Sequence, residues 1–213
     1  MNTPLILDSL AAVQRAILDN EPHIESLDRA IGDGDHFINV RRGCEALMSI
    51  APDLHATPPG AALHRIGMKL LSTIGGASGP LLASFFMAMG KALEGLAEPD
   101  RRQVAAAFAA GVEAIKSRGK ADLGEKTMLD VLIPVSRLLS RLAAEDVPLP
   151  ALCEQLKAEA HRNMLATKDM IATKGRAHFL GERALGHIDP GCKTSEVAIG
   201  AVCDTVTATR ETV

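Results

Sequence analysis

The sequence has almost no aromatic side chains. Trp and Tyr are absent, and the aromatic content of 2% is phenylalanine alone. Hydrophobic residues still make up 47% of the chain, so the core has to be built from Ala, Leu, Ile, Val and Met. Strands favour aromatic and β-branched residues, and this composition therefore favours close-packed helices over a β-sandwich.

Two further absences limit the classes of function. No run or stripe of Lys and Arg is present and the formal net charge is −3, so we expect no nucleic-acid partner. The chain has no apolar stretch of about 20 residues, the length that a membrane-spanning helix needs. Its N-terminus also lacks the basic region and apolar run of a signal peptide. We therefore expect a cytoplasmic protein without membrane contact.

The cysteines form no C-x-x-C pair. They stand far apart in the chain, at Cys44, Cys153, Cys192 and Cys203. This spacing argues against a zinc knuckle and against a thioredoxin-like redox motif. We expect four reduced thiols, as is usual in a cytosolic protein.

Apolar residues recur at three- and four-residue steps along most of the chain, for example from Leu5 to Ile17. This period is typical of amphipathic helices, and about eight such segments occur without a convincing strand. We predict an all-α fold with a single domain over residues 1–213, arranged as a bundle or closed barrel of helices. Loops rich in Gly and Asp interrupt the helices, and we expect the functional site in those loops.

The string LDRAIGDGDH contains three aspartates, Asp28, Asp33 and Asp35. Hard divalent cations bind carboxylate oxygens, and three such charges close together repel one another unless a cation neutralises them. Gly32 and Gly34 allow the backbone to bend so that the aspartates face one centre. An Asp/Gly turn in which Asp35 caps the next helix is the alternative. A calcium loop is a weaker rival, because the glutamate at its twelfth position is missing.

The string GGASGP, from Gly75 to Pro80, precedes a strongly apolar segment. Small residues leave backbone N–H groups accessible, and the N-terminus of a helix adds partial positive charge, which suits phosphate. The string lacks the Gly-Lys-Ser/Thr ending of a Walker A loop. A plain helix connection, or a tight helix crossing, is the alternative.

Two later segments combine glycines with cationic side chains. One contains Arg118, Lys120 and Lys126, and the other runs from Lys174 to Gly191. Such cations suit a phosphate clamp, although each segment alone is also compatible with a solvated loop. Together the four segments offer metal ligands, amide donors and cations, which is the set that phosphoryl transfer requires.

In this order, the strings IGDGDH, GGASGPL, SRGKA, GEKTM and KGRA resemble the L subunits of bacterial dihydroxyacetone kinases. The likeness runs from Leu27 to Gly191. It implies a closed barrel of about eight antiparallel helices with a nucleotide site in the loops at one end. It also implies a phosphotransferase subunit that acts on the hydroxyl of a small keto-alcohol, with two Mg²⁺ ions and ADP or ATP as cofactors.

The resemblance also implies roles for individual residues. Asp28, Asp33 and Asp35 would hold the two Mg²⁺ ions, and no side chain of this chain would act as a catalytic acid or base. The nucleotide would contact residues from several of the segments: His36, Phe37, Ile38, Asn39, Ala77, Ser78, Gly119, Met128, Arg176, Asp189, Pro190 and Gly191. Phe37 stands where the branch of the family that keeps ADP bound usually has a small glycine, and its ring would narrow the site or change a partner surface.

The family has two branches, which differ in the phosphoryl donor. One uses ATP as a free substrate. The other keeps ADP bound while a phosphotransferase-system protein, the M-type subunit, rephosphorylates it in place. A separate chain with His36, Gly79-Pro80 and Gly186-His187 resembles the second branch. In that branch a K-type subunit holds dihydroxyacetone.

Two alternatives to the bound-ADP branch stay open. The first is a free-ATP kinase subunit for a related ketose such as erythrulose. The second is a nucleotide-state sensor that binds a transcription regulator.

Overall fold

A computed structural model describes residues 1–211, and within that range the chain is helical without a strand. The all-α prediction is confirmed, with nine α-helices among the described residues. They are α1 (Thr3–Asp19), α2 (Glu21–Ile31), α3 (His36–Ile50), α4 (Pro59–Thr73), α5 (Ser78–Ala92), α6 (Arg101–Gly119), α7 (Leu129–Ala144), α8 (Leu149–Ala166) and α9 (Pro190–Glu211). Three 3₁₀ segments lie at Ala51–Leu54, Thr167–Asp169 and Arg176–Ala184.

Eight of these helices form a closed ring. From α3 to α9 each helix packs against the next, α9 packs against α1, and α1 packs against α3. The ninth helix, α2, connects α1 to α3 and contacts α3 and α9. The ring agrees with the predicted closed barrel of about eight helices. Within residues 1–211, no helix combines the length and the apolar character that crossing a membrane requires.

The core is aliphatic, as the composition predicts. Phe85 makes edge-to-face contacts with Phe86 and Phe108, at centroid distances of 5.2 and 5.4 Å. Around these rings the main cluster consists of Leu, Ile, Val, Ala and Met side chains from α1, α3, α4, α5, α6 and α7. A second cluster fills the space between α7, α8 and α9.

Helices α4 and α5 approach so closely that glycine is required at their crossing. A Cβ atom on Gly60 would lie 2.8 Å from the carbonyl oxygen of Gly90, and one on Gly90 would lie 2.6 Å from that of Gly60. Any side chain there would push the two backbones apart. The crossing therefore holds α5 firmly against α4 and sets the position of the loop between them.

The start of α9 differs from the prediction. The apolar period indicates a helix from Val197, whereas the helix begins at Pro190. Proline is favourable at the first helical position because its missing N–H has no partner there in any case. The first turns of α9 therefore reach back into the segment predicted as loop, and they bring polar residues to the site.

Candidate functional site

The loops that precede α3, α5, α7 and α9 meet at one end of the ring. Arg176, before α9, forms an ion pair with Asp33, before α3. Thr173 hydrogen-bonds Glu125, in the loop before α7. These four loops carry all the strings that the sequence analysis singled out, so the fold gathers them into one region.

Three aspartates converge between α2 and α3. Asp28, Asp33 and Asp35 each offer a carboxylate oxygen, and the three atoms lie within 4.8 Å of one another. Asp28 is buried, with 4% of its surface exposed, while Asp33 and Asp35 are exposed. None of the ion pairs among the described residues includes Asp28 or Asp35. A buried carboxylate without a cationic partner is costly, so the cluster fits a divalent cation.

The backbone of this loop is shaped around Asp28. The Asp28 carboxylate accepts a hydrogen bond from the N–H of His36 at 3.0 Å, and a Cβ atom on Gly32 would clash with it. Gly34 has a φ of 80°, which favours glycine. Asp35 precedes α3 but makes no side-chain capping bond. The cap comes from Asp28, and the alternative of a turn capped by Asp35 does not describe this loop.

Negative charge is crowded in the loop. Burial raises the pKa of Asp35, and a hydrogen bond to Asp33 and the Asp33 charge raise it further. A hydrogen bond from Asn39 acts in the opposite direction. The part of this pKa shift that comes from the Asp33 charge is repulsion, which a bound cation would relieve.

His36 joins the metal loop to α9. Burial lowers the pKa of its imidazole, although the charges of Asp28 and Asp35 oppose the shift. Its Nε2 lies 3.3 Å from Oγ1 of Thr194, in the second turn of α9. The imidazole of His36 is therefore neutral, and it forms a polar contact between the start of α3 and the start of α9.

Phe37 does not face the metal loop. Its ring is 2% exposed and packs against Ile17 and Ile24 in a small core cluster. The expectation that this ring narrows the site or changes a partner surface is therefore wrong. The next side chain, Ile38, is 44% exposed.

The glycine-rich string forms an exposed turn before α5. Gly75, Gly76 and Ala77 are exposed, and no side chain caps the helix that begins at Ser78. At Gly79 a Cβ atom would clash with the carbonyl oxygen of Ile74. The first N–H groups of α5 are thus available to an anion, and the helix dipole favours negative charge at this end.

Gly119 and Met128 lie at close contacts between elements. A Cβ atom on Gly119 would lie 3.2 Å from Cδ2 of Leu81, so the end of α6 sits against the first turn of α5. A Cβ atom on Gly191 would lie 3.6 Å from Cβ of Met128. These contacts bring both residues to the same end of the ring as the metal loop.

The start of α9 is stabilised by Asp189. Its carboxylate accepts a hydrogen bond from the N–H of Cys192 at 2.7 Å, and Pro190 and Gly191 are buried behind it. Burial raises the pKa of Asp189 to about 6, although the Cys192 hydrogen bonds lower it. Asp189 therefore acts first as the cap of α9.

Residues 167–187, here called the cover segment, lie between α8 and α9. Within this segment Nε of Arg176 is 2.7 Å from Oδ2 of Asp33, with 70% and 38% of the two side chains exposed. An ion pair this exposed contributes little to stability, about 0–1 kcal/mol. The guanidinium group of Arg176 is therefore free to exchange Asp33 for another anion.

Lys126 differs from the role that its segment suggests. The segment that contains Arg118, Lys120 and Lys126 predicts cations of a phosphate clamp, but only 1% of the surface of Lys126 is exposed. Its Nζ donates to main-chain carbonyls of the cover segment and is not directed at a phosphate site. Nothing in the string GEKTM distinguishes a buried lysine from an exposed one, so this role of Lys126 was not predictable from the sequence.

Comparison with known proteins agrees with this arrangement. The DAK2 domain family matches residues 30–204. The ADP-binding subunit of the PEP-dependent dihydroxyacetone kinase of Escherichia coli K12 is 38% identical over 169 residues, 79% of this chain and 80% of that subunit. The ADP-binding subunit of the PTS-dependent dihydroxyacetone kinase of Lactococcus lactis is 38% identical over 190 residues, 89% of this chain and 90% of that subunit.

A solved structure has the same fold. The dihydroxyacetone kinase from C. freundii, in complex with AMP-PNP and Mg²⁺, superimposes with a TM-score of 0.74 at 27% sequence identity. The match covers 94% of this chain and 34% of that longer chain. Together with the sequence matches, it confirms the family to which the sequence motifs pointed.

Proposed function

Because the chain belongs to the DAK2-domain family, we propose that it is the nucleotide-binding subunit of a kinase for dihydroxyacetone or a closely related ketose. The observation that carries the proposal is the convergence of Asp28, Asp33 and Asp35 beside Arg176, at the end of the ring where α5 presents uncapped N–H groups. This arrangement offers metal ligands, a cation and amide donors around one centre.

The three aspartates would hold Mg²⁺ against the phosphates of the nucleotide. Asp28 is fixed by the N–H of His36 and would supply a rigid ligand, while the exposed Asp33 and Asp35 would adjust to the ion. The three carboxylates would supply three of the four negative charges that two Mg²⁺ ions need, and the phosphates of the nucleotide would supply the rest. Bound Mg²⁺ supplies neutralisation of the charge that develops on the transferred phosphoryl group.

The remaining contacts would fall to amides and to Arg176. The N–H groups at the start of α5, together with Ser78, would bind phosphate oxygens. Arg176 would leave Asp33 and offer its planar guanidinium group to two phosphate oxygens at once. Gly119 and Met128 would lie against the adenosine, with Asp189, Pro190 and Gly191 closing the site from the α9 side. None of these side chains has to donate or accept a proton in the reaction.

The partners follow from the same proposal. A separate K-type subunit would hold the ketose, because residues 1–211 bring no evident covalent sugar site to the loop end. ADP would stay bound, and an M-type phosphotransferase-system protein would rephosphorylate it in place. The names of the E. coli and L. lactis relatives, which are PEP- and PTS-dependent, support this branch.

A free-ATP kinase for a related ketose such as erythrulose is the second candidate. The likeness to the longer C. freundii kinase, solved with AMP-PNP, favours it. A transcription regulator that reads the nucleotide state is compatible with either candidate.

The deciding experiment measures ketose phosphorylation with each donor in turn. The chain is combined with its K-type subunit and dihydroxyacetone, and either ATP or the phosphorylated M-type protein is supplied. We expect sustained turnover with the phosphorylated protein and little beyond the first turnover with ATP. Fast, sustained turnover on ATP alone would reject the bound-ADP branch, while no transfer from either donor would reject the kinase assignment.

A further inference from the structure

One ammonium group joins the two ends of the cover segment. The Nζ atom of Lys126 donates to the carbonyl oxygens of Thr167 at 2.6 Å and Met170 at 3.2 Å, at the beginning of the segment. It also donates to those of Ala184 at 2.8 Å and His187 at 2.7 Å, near its end. The intervening residues therefore form a loop whose two stems are joined by this side chain, beside one backbone hydrogen bond from the N–H of Gly186 to the carbonyl oxygen of Lys168 at 2.8 Å.

The setting of this lysine is unusual for a charged group. Lys126 is 1% exposed, and none of the ion pairs among the described residues includes it. Its charge is balanced by carbonyl dipoles of the stems. If either stem moved away, the ammonium would lose two of its four carbonyl partners, and hydrogen bonds from a charged donor are stronger than those between neutral groups, so opening at the stems is disfavoured.

The residues on both sides of Lys126 bind the same region. The carbonyl of Glu125 accepts from the N–H of Thr173 at 3.2 Å, and its carboxylate accepts from the Thr173 hydroxyl at 2.8 Å. The carbonyl of Thr127 accepts from Sγ of Cys192 at 2.8 Å. Glu125, Lys126 and Thr127, here called the clasp, thus hold the cover segment and the start of α9 at successive points.

The clasp is itself rigid. Asp130, in the first turn of α7, is 2% exposed, and its carboxylate accepts from the N–H groups of Gly124 at 2.5 Å and Thr127 at 2.8 Å. The loop before α7 is therefore fixed by a buried carboxylate. Because the clasp is fixed in this way, it can hold the cover segment in place.

The tip of the cover segment is held much less firmly than its stems. Two contacts hold it beside the metal loop: the exposed pair of Arg176 and Asp33, and a small apolar cluster in which Ala177 packs with Ile31 of α2. Gly175 and Gly181, with φ of 66° and 56°, stand on either side of the tip and permit backbone changes there. Backbone changes at these glycines would leave the four contacts of Lys126 with the stems in place.

We propose that Lys126 is a positioning residue that closes the stems of the cover segment, and that it thereby sets how slowly a bound Mg–nucleotide leaves. The inference rests on the proposed function, because it takes the nucleotide to lie under the cover segment. Joining the stems lowers the entropic cost of holding the tip over a ligand. Without the ammonium, the stems would be joined less firmly, by the hydrogen bond from Gly186 to Lys168 and by the apolar cluster that contains Ala172 and Ala184, and closing the site would cost more entropy.

The test compares the Lys126→Met variant with the wild-type chain and with a matched control. Methionine keeps the length of the buried side chain but donates no hydrogen bond. In the control, Lys168→Met, the same change is made at an exposed lysine of the cover segment. The dissociation rate of a fluorescent ADP analogue with Mg²⁺ is measured by displacement with excess ADP, and hydrogen exchange is measured on the ligand-free proteins.

We expect dissociation from Lys126→Met to be faster by about tenfold or more, since weakened contacts act mainly on the off-rate. Hydrogen exchange should accelerate in residues 167–187 and stay unchanged in α4 and α5. The Lys168→Met control should behave as the wild type in both measurements. An unchanged dissociation rate in folded Lys126→Met, or faster exchange spread evenly over all helices, would overturn the positioning role.

Two further outcomes are separated by the design. If Lys126→Met does not fold, Thr173→Val removes an exposed hydrogen bond of the clasp. It should raise the dissociation rate by a smaller factor, and no change in rate or exchange would overturn the proposal. If the wild-type chain does not bind the analogue, both the proposed function and the claim that Lys126 slows nucleotide dissociation are overturned. Faster hydrogen exchange confined to residues 167–187 in Lys126→Met would then still show that Lys126 holds the stems closed.

Discussion

At the scale of single residues, the three aspartates of the metal loop are not equivalent. Asp28 is buried and fixed by a hydrogen bond from the N–H of His36, whereas Asp33 and Asp35 are exposed. A fixed ligand sets the position of an ion, and mobile ligands complete its coordination. We therefore expect Asp28 to contribute most to affinity for the Mg–nucleotide complex.

The first prediction concerns this metal loop. Each of Asp28→Asn, Asp33→Asn and Asp35→Asn removes one charge with little change of shape. We expect each to weaken Mg²⁺-dependent ADP binding by about tenfold or more, a loss of about 1.4 kcal/mol. The loss of affinity should be largest for Asp28→Asn. Isothermal titration with and without Mg²⁺ measures the effect. The exposed Asp8→Asn serves as control, and wild-type affinity in all three variants would refute the metal assignment.

The second prediction concerns Arg176. Lysine at this position keeps the charge but cannot form two parallel hydrogen bonds to a phosphate. We expect Arg176→Lys to slow phosphoryl transfer while leaving the melting temperature unchanged, because the exposed pair with Asp33 adds little stability. Arg183→Lys, also in the cover segment, is the matched control. Equal rates in both variants would mean that Arg176 is an ordinary surface arginine.

At the scale of elements, the start of α9 links the site to stability. Asp189 caps this helix through the N–H of Cys192, yet burial raises the pKa of its carboxyl group from 3.8 to about 6. The folded state therefore binds a proton in a pH range where the unfolded chain has released it. Stability should fall as pH rises through this range, because the folded state alone then has to hold a partly buried charge.

The third prediction follows from this sign. An asparagine in place of Asp189 would keep a hydrogen-bond acceptor for Cys192 and would not titrate, so Asp189→Asn should gain stability relative to wild type between about pH 4 and pH 6. The gain should approach at most about 3 kcal/mol above that range. Urea unfolding of the ligand-free proteins across this range measures the difference. Parallel stability curves for the two proteins would contradict the raised pKa.

The elements themselves were largely predictable from the sequence. Apolar periodicity reports which face of a helix is buried, and it identified the helices of the ring. It did not locate the start of α9, because Pro190 to Glu196 carry mostly polar or small side chains with no period to read. There the boundary depends on Asp189 and Pro190, which act through local backbone chemistry.

At the scale of the whole molecule, the arrangement of the loops depends on the ring. Sequence strings predicted the metal loop, the amide turn and Arg176, and the fold brings these segments to one end. The burial of Phe37 and Lys126 was not predictable. Phe37 is covered by Ile17 and Ile24 of other helices, and Lys126 is held by carbonyls 41 to 61 residues further along the chain. Such contacts are long-range, and no local pattern encodes them.

The ring also explains why the nucleotide should leave slowly. Metal ligands, amides and the cover segment would surround the phosphates from different helices, and their charge-assisted contacts would act together on the dissociation rate. A slowly released ADP stalls an enzyme that must exchange it for ATP in every cycle. It serves well as a permanent acceptor that a phosphorylated partner recharges.

The most direct test of this account is the ADP content of the purified chain after prolonged dialysis. The nucleotide is released by acid and quantified by chromatography and mass spectrometry, with one sample dialysed against Mg²⁺ and the other against excess chelator. We predict stoichiometric ADP in the Mg²⁺ sample and its loss in the chelator sample, because the carboxylates of Asp28, Asp33 and Asp35 repel phosphate without the metal. Absence of nucleotide from the Mg²⁺ sample, or equal retention in both, would contradict a tightly held Mg–ADP at this end of the ring.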